Sequence, residues 1–448
     1  MCLMKKAIDM TKGSVLGPVF LFAIPILIGN ILQQLYTTVD TFVLGRFCNA
    51  DSLAAVGTSS QPVELILCLF LGIGSGISIL VAQFKGAGET ESLNRVVHSA
   101  ISFTYIIALP LMGLGFILGP AILRVMNTPP EAWEFACGYV EIILLASLGN
   151  IGYNINAGIL RGMGDSKASL VFLAISCAVN VVLDYICIAF WGMDVYGAAF
   201  ATAVAMFASW FFSIAYIKKK YPELKFTILP KKLDKEMLKR MLRVGVPLGL
   251  NNSLYSVGHI ALQSLYNLQG TVFVAGCNVG SRLNGIAGMM ITALSSAATT
   301  FAGQNFGAQN YKRLKEGAYK ITIANAAITL AAGMVMLAFG ETILGWFTKD
   351  PEVLFYAMHA SRITLPFQWV YCILATIIAY INGAGQVRYS TVINLLMLWA
   401  VRIPSAYIIN YFYDGHYVMV AVPISFVFGA TCMIAFLFSK KWKSVVNR

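Results

Sequence analysis

The aspartate in YTTVDTFVLGR (Tyr36–Arg46) sits near the end of the first long apolar run of the chain. At the middle of a membrane span an Asp costs about 2.5–3.5 kcal/mol on insertion scales, so a chain that keeps one there has a use for it. A second carboxylate, Asp184, lies in NVVLDY (Asn180–Tyr185), and Asn180 stands four residues before it, on the same face of a helix. Thr202 adds a hydroxyl from the next apolar run. Two carboxylates with an amide and a hydroxyl oxygen suit a hard monovalent cation such as Na+. They suit equally a proton held between the acids, because two ionised carboxylates away from water repel one another. The competing reading makes each group a satisfied interhelical hydrogen bond. That reading is the better account of a lone Asn or Thr, and the poorer one of two Asp at matched depth.

These residues need a scaffold, and the composition says which. Apolar residues make up 58% of the 448 and charged residues 12%, against about 25% charge in an ordinary soluble domain. Mean hydropathy is +0.73. Apolar runs long enough to cross a bilayer number twelve, in two sixes: near 16–44, 53–82, 97–120, 132–156, 168–191 and 195–217, then near 244–268, 273–302, 318–347, 354–380, 389–411 and 417–439. The runs are apolar all round, where a soluble helical protein would show stripes with charged outer faces. The expected fold class is an all-α polytopic membrane protein of twelve transmembrane helices in two six-helix lobes. At ~1.5 Å per residue, Asp40, Asp184, Asn180 and Thr202 fall ~6–16 Å below the outer ends of their spans, in one layer.

With even-numbered loops placed inside, 26 of the 32 Lys and Arg lie on that side. Arg46, Arg124 and Lys349 lie outside, and Arg282, Arg362 and Arg402 within spans. This bias places both termini in the cytoplasm of a cell (inner) membrane protein. The net charge of +12 is thereby explained without a nucleic-acid partner. The basic run 218–243 reads as a cytoplasmic linker between an N-terminal lobe, 1–217, and a C-terminal lobe, 244–448. The opening MCLMKKAIDMTKGS is too polar for a signal h-region, so the first span itself is expected to target the chain. Nine cysteines form no CxxC pair and fall mostly in spans, as small core residues.

The two sixes are copies. QFKGAG (Gln83–Gly88) recurs as QNFGAQ (Gln304–Gln309), and RGMGDSK (Arg161–Lys167) as NGAGQVR (Asn382–Arg388). Gln83 and Gln304, Gly86 and Gly307, Ala87 and Ala308, Gly162 and Gly383, and Gly164 and Gly385 are all 221 residues apart. Six spans per copy means that both copies enter the membrane from the same side. The repeat is therefore parallel, with an expected cleft between two lobes that rock to give alternating access. The acids do not repeat: Asp40 corresponds to Ala261 or Leu262 and Asp184 to Ser405.

Gln33, Tyr36 and Asp40 share a stripe on the first span, Tyr139, Asn150 and Asn154 another on the fourth, and Thr202 and Met206 a third on the sixth. Together they suit a cavity for varied amphipathic molecules, although core packing accounts for any single Tyr or Met. Glu64 and Glu141 are further intramembrane acids. Glu141 points about 200° away from Tyr139 around its helix. Its repeat-mate is Arg362, and both read as interhelix pairs; Arg282 and Arg402 read as structural. GIGSG (Gly72–Gly76) lies inside an apolar span, where small residues let helices pack closely. Without a P-loop lysine it is no nucleotide loop, which excludes a primary pump, and the four His make no catalytic cluster.

VDTFVLGR with AAVG (Ala54–Gly57), the QFKGAG and LRGMGDSK corners, NVVLDY, and RIP (Arg402–Pro404) resemble, in order and spacing over the whole chain, the multidrug and toxic compound extrusion (MATE) family. The resemblance implies twelve helices in two lobes and an antiporter that exports drugs or metabolites against entry of Na+ or H+. It implies no cofactor and no enzymatic activity. The pattern of the DinF-like branch carries over onto Asp40, Asn180, Asp184 and Thr202 as the ion-coupling set, and as the Na+ ligands if sodium is the ion. The NorM branch also uses acids of the second lobe, which this chain lacks. Gln33, Tyr36, Tyr139, Asn154 and Met206 are the expected substrate-cavity residues, the substrates small organic molecules, the surroundings the lipid bilayer, and the functional unit a monomer.

The runner-up is a flippase of the wider superfamily for lipid-linked oligosaccharides. It would favour several buried Arg or Lys to hold a pyrophosphate, and the first lobe shows none deep in a span. A non-transporting membrane scaffold would leave Asp40 and Asp184 unexplained. The topology beneath every depth has a direct check. A single cysteine at Lys231 should resist a membrane-impermeant thiol reagent added outside, and one at Thr348 should react; the reverse pattern would invert the arrangement.

Overall fold

Apolar runs of this length have one way to satisfy every backbone N–H and C=O in hydrocarbon, which is to close them within a helix. The computed structural model describes residues 7–48, 50–125, 130–230, 233–440, 442 and 444. Twelve long helices follow one another there: α1 Leu16–Phe47, α2 Ala50–Ala87, α3 Thr90–Val125, α4 Pro130–Gly162, α5 Ser166–Phe190, α6 Asp194–Lys220, α7 Lys235–Asn267, α8 Thr271–Gly307, α9 Tyr311–Ala338, α10 Pro351–Gly383, α11 Val387–Phe412 and α12 Gly415–Phe438. Among the described residues, ten are long and apolar enough to cross a membrane. Of the other two, α2 contributes the shorter apolar stretch Leu71–Ala87. The polar residues Asn251, Asn252, Ser253, Ser256 and His259 dilute α7. A one-turn helix, Gly340–Leu344, lies between α9 and α10.

The chain divides into two compact units, and the cuts fall inside helices, not in the basic linker. The first unit holds Ile24–Gly249 with Ile8; the second holds Asp9–Ala23 and Leu250–Arg448. Each repeat's first helix thus changes unit beside a proline, Pro25 in α1 and Pro247 in α7. Proline removes an intrahelical hydrogen bond there and crowds the preceding turn.

In the first unit α4 is central, packed on α2, α3 and α6. The GIGSG stretch of α2 uses its glycines in alternation. Gly72 and Gly76 meet the backbone of α7 at Gly249 and Gly245. Gly74 and Ser78 meet the glycines of α4: a Cβ on Gly158 would stand 2.7 Å from the Gly74 carbonyl oxygen. Small residues one turn apart on both partners bring the backbones into contact, as close helix packing in a bilayer requires. The linker is fastened to α3, where Asn94 Nδ2 donates to the Glu223 carbonyl (2.9 Å) and Arg95 Nε to Asp234 Oδ2 (2.6 Å). Asp234 caps the start of α7 at Glu236 and Met237, and the hydrogen bond from Arg95 holds its carboxyl below the usual range.

In the second unit α8 packs on α9 and α10, with Leu283, Ala287, Ala357 and Met358 in the core between α8 and α10. The buried Met10 is gripped at both ends of its peptide: its N–H donates to Gln304 Oε1 (3.0 Å) and its carbonyl accepts from Asn305 Nδ2 (3.1 Å). Arg313 donates to the carbonyls of Met10, Lys12, Gly13 and Ser14 at 2.7–3.1 Å.

The repeated motifs are the tight corners of the fold. A Cβ on Gly162 would lie 2.6 Å from the Ser78 carbonyl oxygen, and one on Gly383 2.7 Å from that of Thr299, at the repeat-equivalent place. Gly164 (φ +90°) and Gly385 (φ +80°) both need the left-handed region, as do Gly88 (φ +71°) and its repeat-mate Gln309 (φ +55°). Glycine takes that conformation freely, whereas glutamine is strained in it. Gly162→Ala and Gly383→Ala should therefore each cost about 1–3 kcal/mol through overpacking against backbone. Gln309→Gly should be neutral or stabilising by up to about 1 kcal/mol. Thermal unfolding of the purified variants in detergent checks both signs.

Candidate functional site

The four oxygen-bearing residues singled out by type and depth come together in the first unit. Asp184 is wholly buried on α5, with Asn180 one turn before it at 1% exposure and Thr202 of α6 at 8%. Asp40 of α1 reaches the same point, and its carboxyl stands beside that of Asp184. In the amide orientation that satisfies both its ends, Asn180 Nδ2 donates to Asp184 Oδ2 (2.8 Å). Its Oδ1 then accepts from Thr202 Oγ1 (3.2 Å) and Thr202 N (3.3 Å). The Tyr36 hydroxyl of α1 lies beside Thr202. A polar chain thus runs from Asp40 through Asp184, Asn180 and Thr202 to Tyr36, across α1, α5 and α6. One oxygen of each acid, Asp40 Oδ1 and Asp184 Oδ1, is buried with no hydrogen-bond partner among the described residues.

Local backbone explains part of this convergence. Immediately after Asp184 the helix widens into a π-turn, Tyr185–Phe190, a departure that recurs at functional sites because it re-aims neighbouring side chains. On α6, Ala198, Ala199, Ala201 and Ala205 are buried around Thr202, and their small side chains allow close approach. Apolar residues pack next to it, where Val43 and Leu44 of α1 meet Ile188 and Ala198.

Beside the acids lies a cavity of about 200 Å³ within the same unit. Of the expected cavity residues, Gln33, Tyr36, Asn154 and Met206 line it. Thr202 lines it too, so it belongs to both the polar chain and the cavity wall. Asn154 is held by the Asn150 carbonyl (2.9 Å) and side chain (2.6 Å). Tyr139 is the exception. It is an electrostatic neighbour of Asp40, Asp184 and Tyr36 and lies outside the lining. It stands about four turns of α4 before Asn154, by 3.6 residues per turn, so it shares the helix face but not the depth.

Arg161 was missed as a site residue. Its sequence position beyond the fourth apolar run assigns it to the cytoplasmic charges, yet α4 continues to Gly162 and Arg161 lines the cavity. The remaining charges sort differently. Arg362 pairs with Glu341 (3.2 Å), both exposed. Glu141 is exposed, Arg282 is exposed, and the side chain of Glu64 lies outside the described residues.

In the second unit the equivalent place carries the opposite charge. Arg402 is 2% exposed; its Nε donates to Ser425 (2.9 Å), its Nη1 to the Tyr255 hydroxyl (2.8 Å), and its guanidinium lies 5.2 Å over the Phe426 ring. It closes a second π-turn, Leu396–Arg402. Arg402 joins α11 to α12 as Asn180 joins α5 to α6.

The MatE family model matches residues 25–186 and again 247–408, two copies at the spacing of the internal repeat. The chain is 31% identical over 412 residues to the probable multidrug resistance protein YoeA of Bacillus subtilis (strain 168), covering 90% of this chain and 88% of the relative. It is 27% identical to YpnP of the same organism, also a probable multidrug resistance protein, over 98% of both chains. A solved outward-facing multidrug resistance MATE transporter of the MOP superfamily superposes with a TM-score of 0.91 at 25% identity, over 99% of each chain. With a match in both halves and such identity along nearly its whole length, this chain belongs to the MATE family of transporters.

Proposed function

We propose that the chain is a secondary-active antiporter. It exports amphipathic, often cationic, small organic molecules in exchange for inward Na+ or H+, by alternating access. It works as a monomer in the cell membrane, with both termini cytoplasmic. The coupling set is Asp40, Asn180, Asp184 and Thr202, and the cargo is taken up beside Gln33, Tyr36, Asn154 and Met206. The multidrug resistance names of the relatives support the cargo class.

One observation carries the coupling: Thr202 belongs at once to the chain of hydrogen bonds ending on Asp184 and to the wall of the cavity, where Tyr36 stands beside it. A proton taken up between the two carboxyls removes their repulsion. A sodium ion would draw on the same oxygens, among which Asp40 Oδ1 and Asp184 Oδ1 have no hydrogen-bond partner. Either event repositions Asp184, and with it Asn180 and the two side chains of the cavity wall. Ion and cargo then compete for one unit's side chains without touching each other. The placement of both acids in the first unit, with a guanidinium at the equivalent place of the second, supports the DinF-like pattern. A single basic residue in the cavity lining, Arg161, falls short of what a pyrophosphate-linked lipid would need, which favours antiport over flipping.

Energetically the scheme is sufficient. One charge crossing about 100 mV yields about 2.3 kcal/mol, which sustains roughly a 50-fold gradient of a neutral cargo exchanged for one ion. A monovalent cationic cargo exchanged one for one draws only on the ion's chemical gradient.

Export of a cationic dye from cells under imposed sodium and pH gradients tests the proposal and identifies the ion. Asp40→Asn keeps the shape and fixes the site neutral. It should insert at the parental level and lose uphill export. Asn180→Ala and Thr202→Ala should weaken the response to the gradient, and Ser405→Ala in the second unit should leave it near parental. A well-expressed Asp40→Asn transporter that exports at the parental rate would make this aspartate structural and end the coupling model. Equal losses at Ser405 and Asn180 would mean that both units share the coupling site.

A further inference from the structure

The cavity of the first unit has a basic end. Arg161, in the last turn of α4, lines it, and its guanidinium makes no hydrogen bond or ion pair among the described residues. The nearest carboxylate in sequence, Asp165, stands across the corner at the N-cap of α5 and is engaged elsewhere. Its Oδ2 accepts from Tyr216 (2.8 Å), Tyr221 (2.8 Å) and Lys220 (3.1 Å), and its Oδ1 caps the Ala168 N–H (3.2 Å). A second, independent observation lies beside it. Ser166, 1% exposed, also lines the cavity, and its hydroxyl has no hydrogen-bond partner among the described residues. A cation without a counter-charge and a hydroxyl without a partner, in the wall of one cavity, leave two groups that a single anionic ligand would complete. The neighbouring Tyr153 donates its hydroxyl proton to the Ser169 carbonyl (3.1 Å) and is neutral, so it supplies no counter-charge.

We infer that Arg161 and Ser166 form an anion subsite that binds the carboxylate of an amphipathic organic cargo. The guanidinium presents parallel N–H donors at the spacing of carboxylate oxygens, and the serine hydroxyl adds a neutral donor. Tyr36 and Thr202, which lead to the acid pair, line the same cavity as Arg161, so cargo carrying both a carboxylate and an amine matches its polarity. The inference deepens the antiport reading and rests on it only in treating the bound molecule as cargo. Binding is measured with no ion gradient, so failure of the subsite and failure of coupling are separate results.

The probes are a xanthylium dye carrying a free carboxylate and the same dye as its ethyl ester. Their binding to the purified full-length transporter in detergent is followed by fluorescence anisotropy. The parent should prefer the acid form. Arg161→Gln should weaken the acid form about tenfold or more, as loss of a charge-assisted hydrogen bond implies, and leave the ester within about twofold. Arg161→Lys keeps the charge and loses the fork, so it should fall between. Ser166→Ala removes only the hydroxyl and should weaken the acid form alone, by a few-fold. Every variant is scored only as a monodisperse peak on size exclusion, and Ser166→Ala keeps the question decidable should Arg161→Gln misfold. Acid-form binding unchanged in both Arg161→Gln and Ser166→Ala, or equal loss of acid and ester by folded protein, would overturn the inference.

Discussion

A carboxyl group taken out of water must find its compensation inside the protein, and Asp184 is wholly buried. An ionised carboxylate alone in such a place costs far more than a fold can supply, so the group is paired, hydrogen-bonded or neutralised. Among the described residues no lysine, arginine or histidine forms an ion pair with Asp184; its neighbours are the Asn180 amide and a second carboxyl. Two acids in contact with no basic partner need a proton or a cation, and that requirement organises the unit around them. The Asn180 amide must turn its nitrogen to Asp184, which leaves its oxygen to Thr202. Thr202 then meets Tyr36, and the demand made by one buried oxygen is carried to the cavity wall.

The internal repeat shows that this requirement is separable from the scaffold. Both units keep the corner glycines and the left-handed turns, and each has a π-turn in the fifth helix of the repeat, following Asp184 in one and ending on Arg402 in the other. Both also join that helix to the sixth through a side-chain hydrogen bond, Asn180 with Thr202 at 3.2 Å and Arg402 with Ser425 at 2.9 Å. What differs is the charge. The first unit presents a pair of acids here, and the second presents the guanidinium of Arg402. Its contacts with the Tyr255 hydroxyl and the Phe426 ring stabilise that cation. The same architecture therefore holds a pair of acids in one half and a basic group in the other.

Much of this was legible in the sequence. Apolar runs of bilayer length, the basic bias and the repeated corners depend on composition and spacing alone, which is why fold class and repeat emerge without coordinates. The acid site was legible for a related reason: Asn180 and Asp184 stand one turn apart, and a carboxylate is conspicuous in hydrocarbon. What escaped depends on how helices converge. Arg161 reads as a loop charge until α4 is seen to run on to Gly162 and to border a cavity formed with α1 and α5. Tyr139 shares a helix face with Asn154, and periodicity reports faces without reporting depth. The π-turns at Tyr185–Phe190 and Leu396–Arg402 leave no local signal, since the helix widens to suit its packing.

Two of the basic residues also bear on why the units divide inside α1 and α7. A purely topological charge needs only water, yet Arg313 spends its guanidinium on four backbone carbonyls between Met10 and Ser14. Arg95 likewise reaches Asp234 at the cap of α7. Each anchor fixes the segment that leads into a six-helix repeat. The carbonyl clamp is the more extensive of the two, because backbone outside a helix leaves carbonyl oxygens that need donors from elsewhere. The Arg95–Asp234 pair is exposed to water and screened by it, so it adds position more than stability, and the close packing of Gly245 and Gly249 on α2 holds the start of α7 instead. The glycine-rich stretch of α2 thereby serves two neighbours, α4 on one face and α7 on the other. A side chain at Gly72 or Gly76 would meet the α7 backbone at 2.1–2.7 Å and cost the first unit that helix contact.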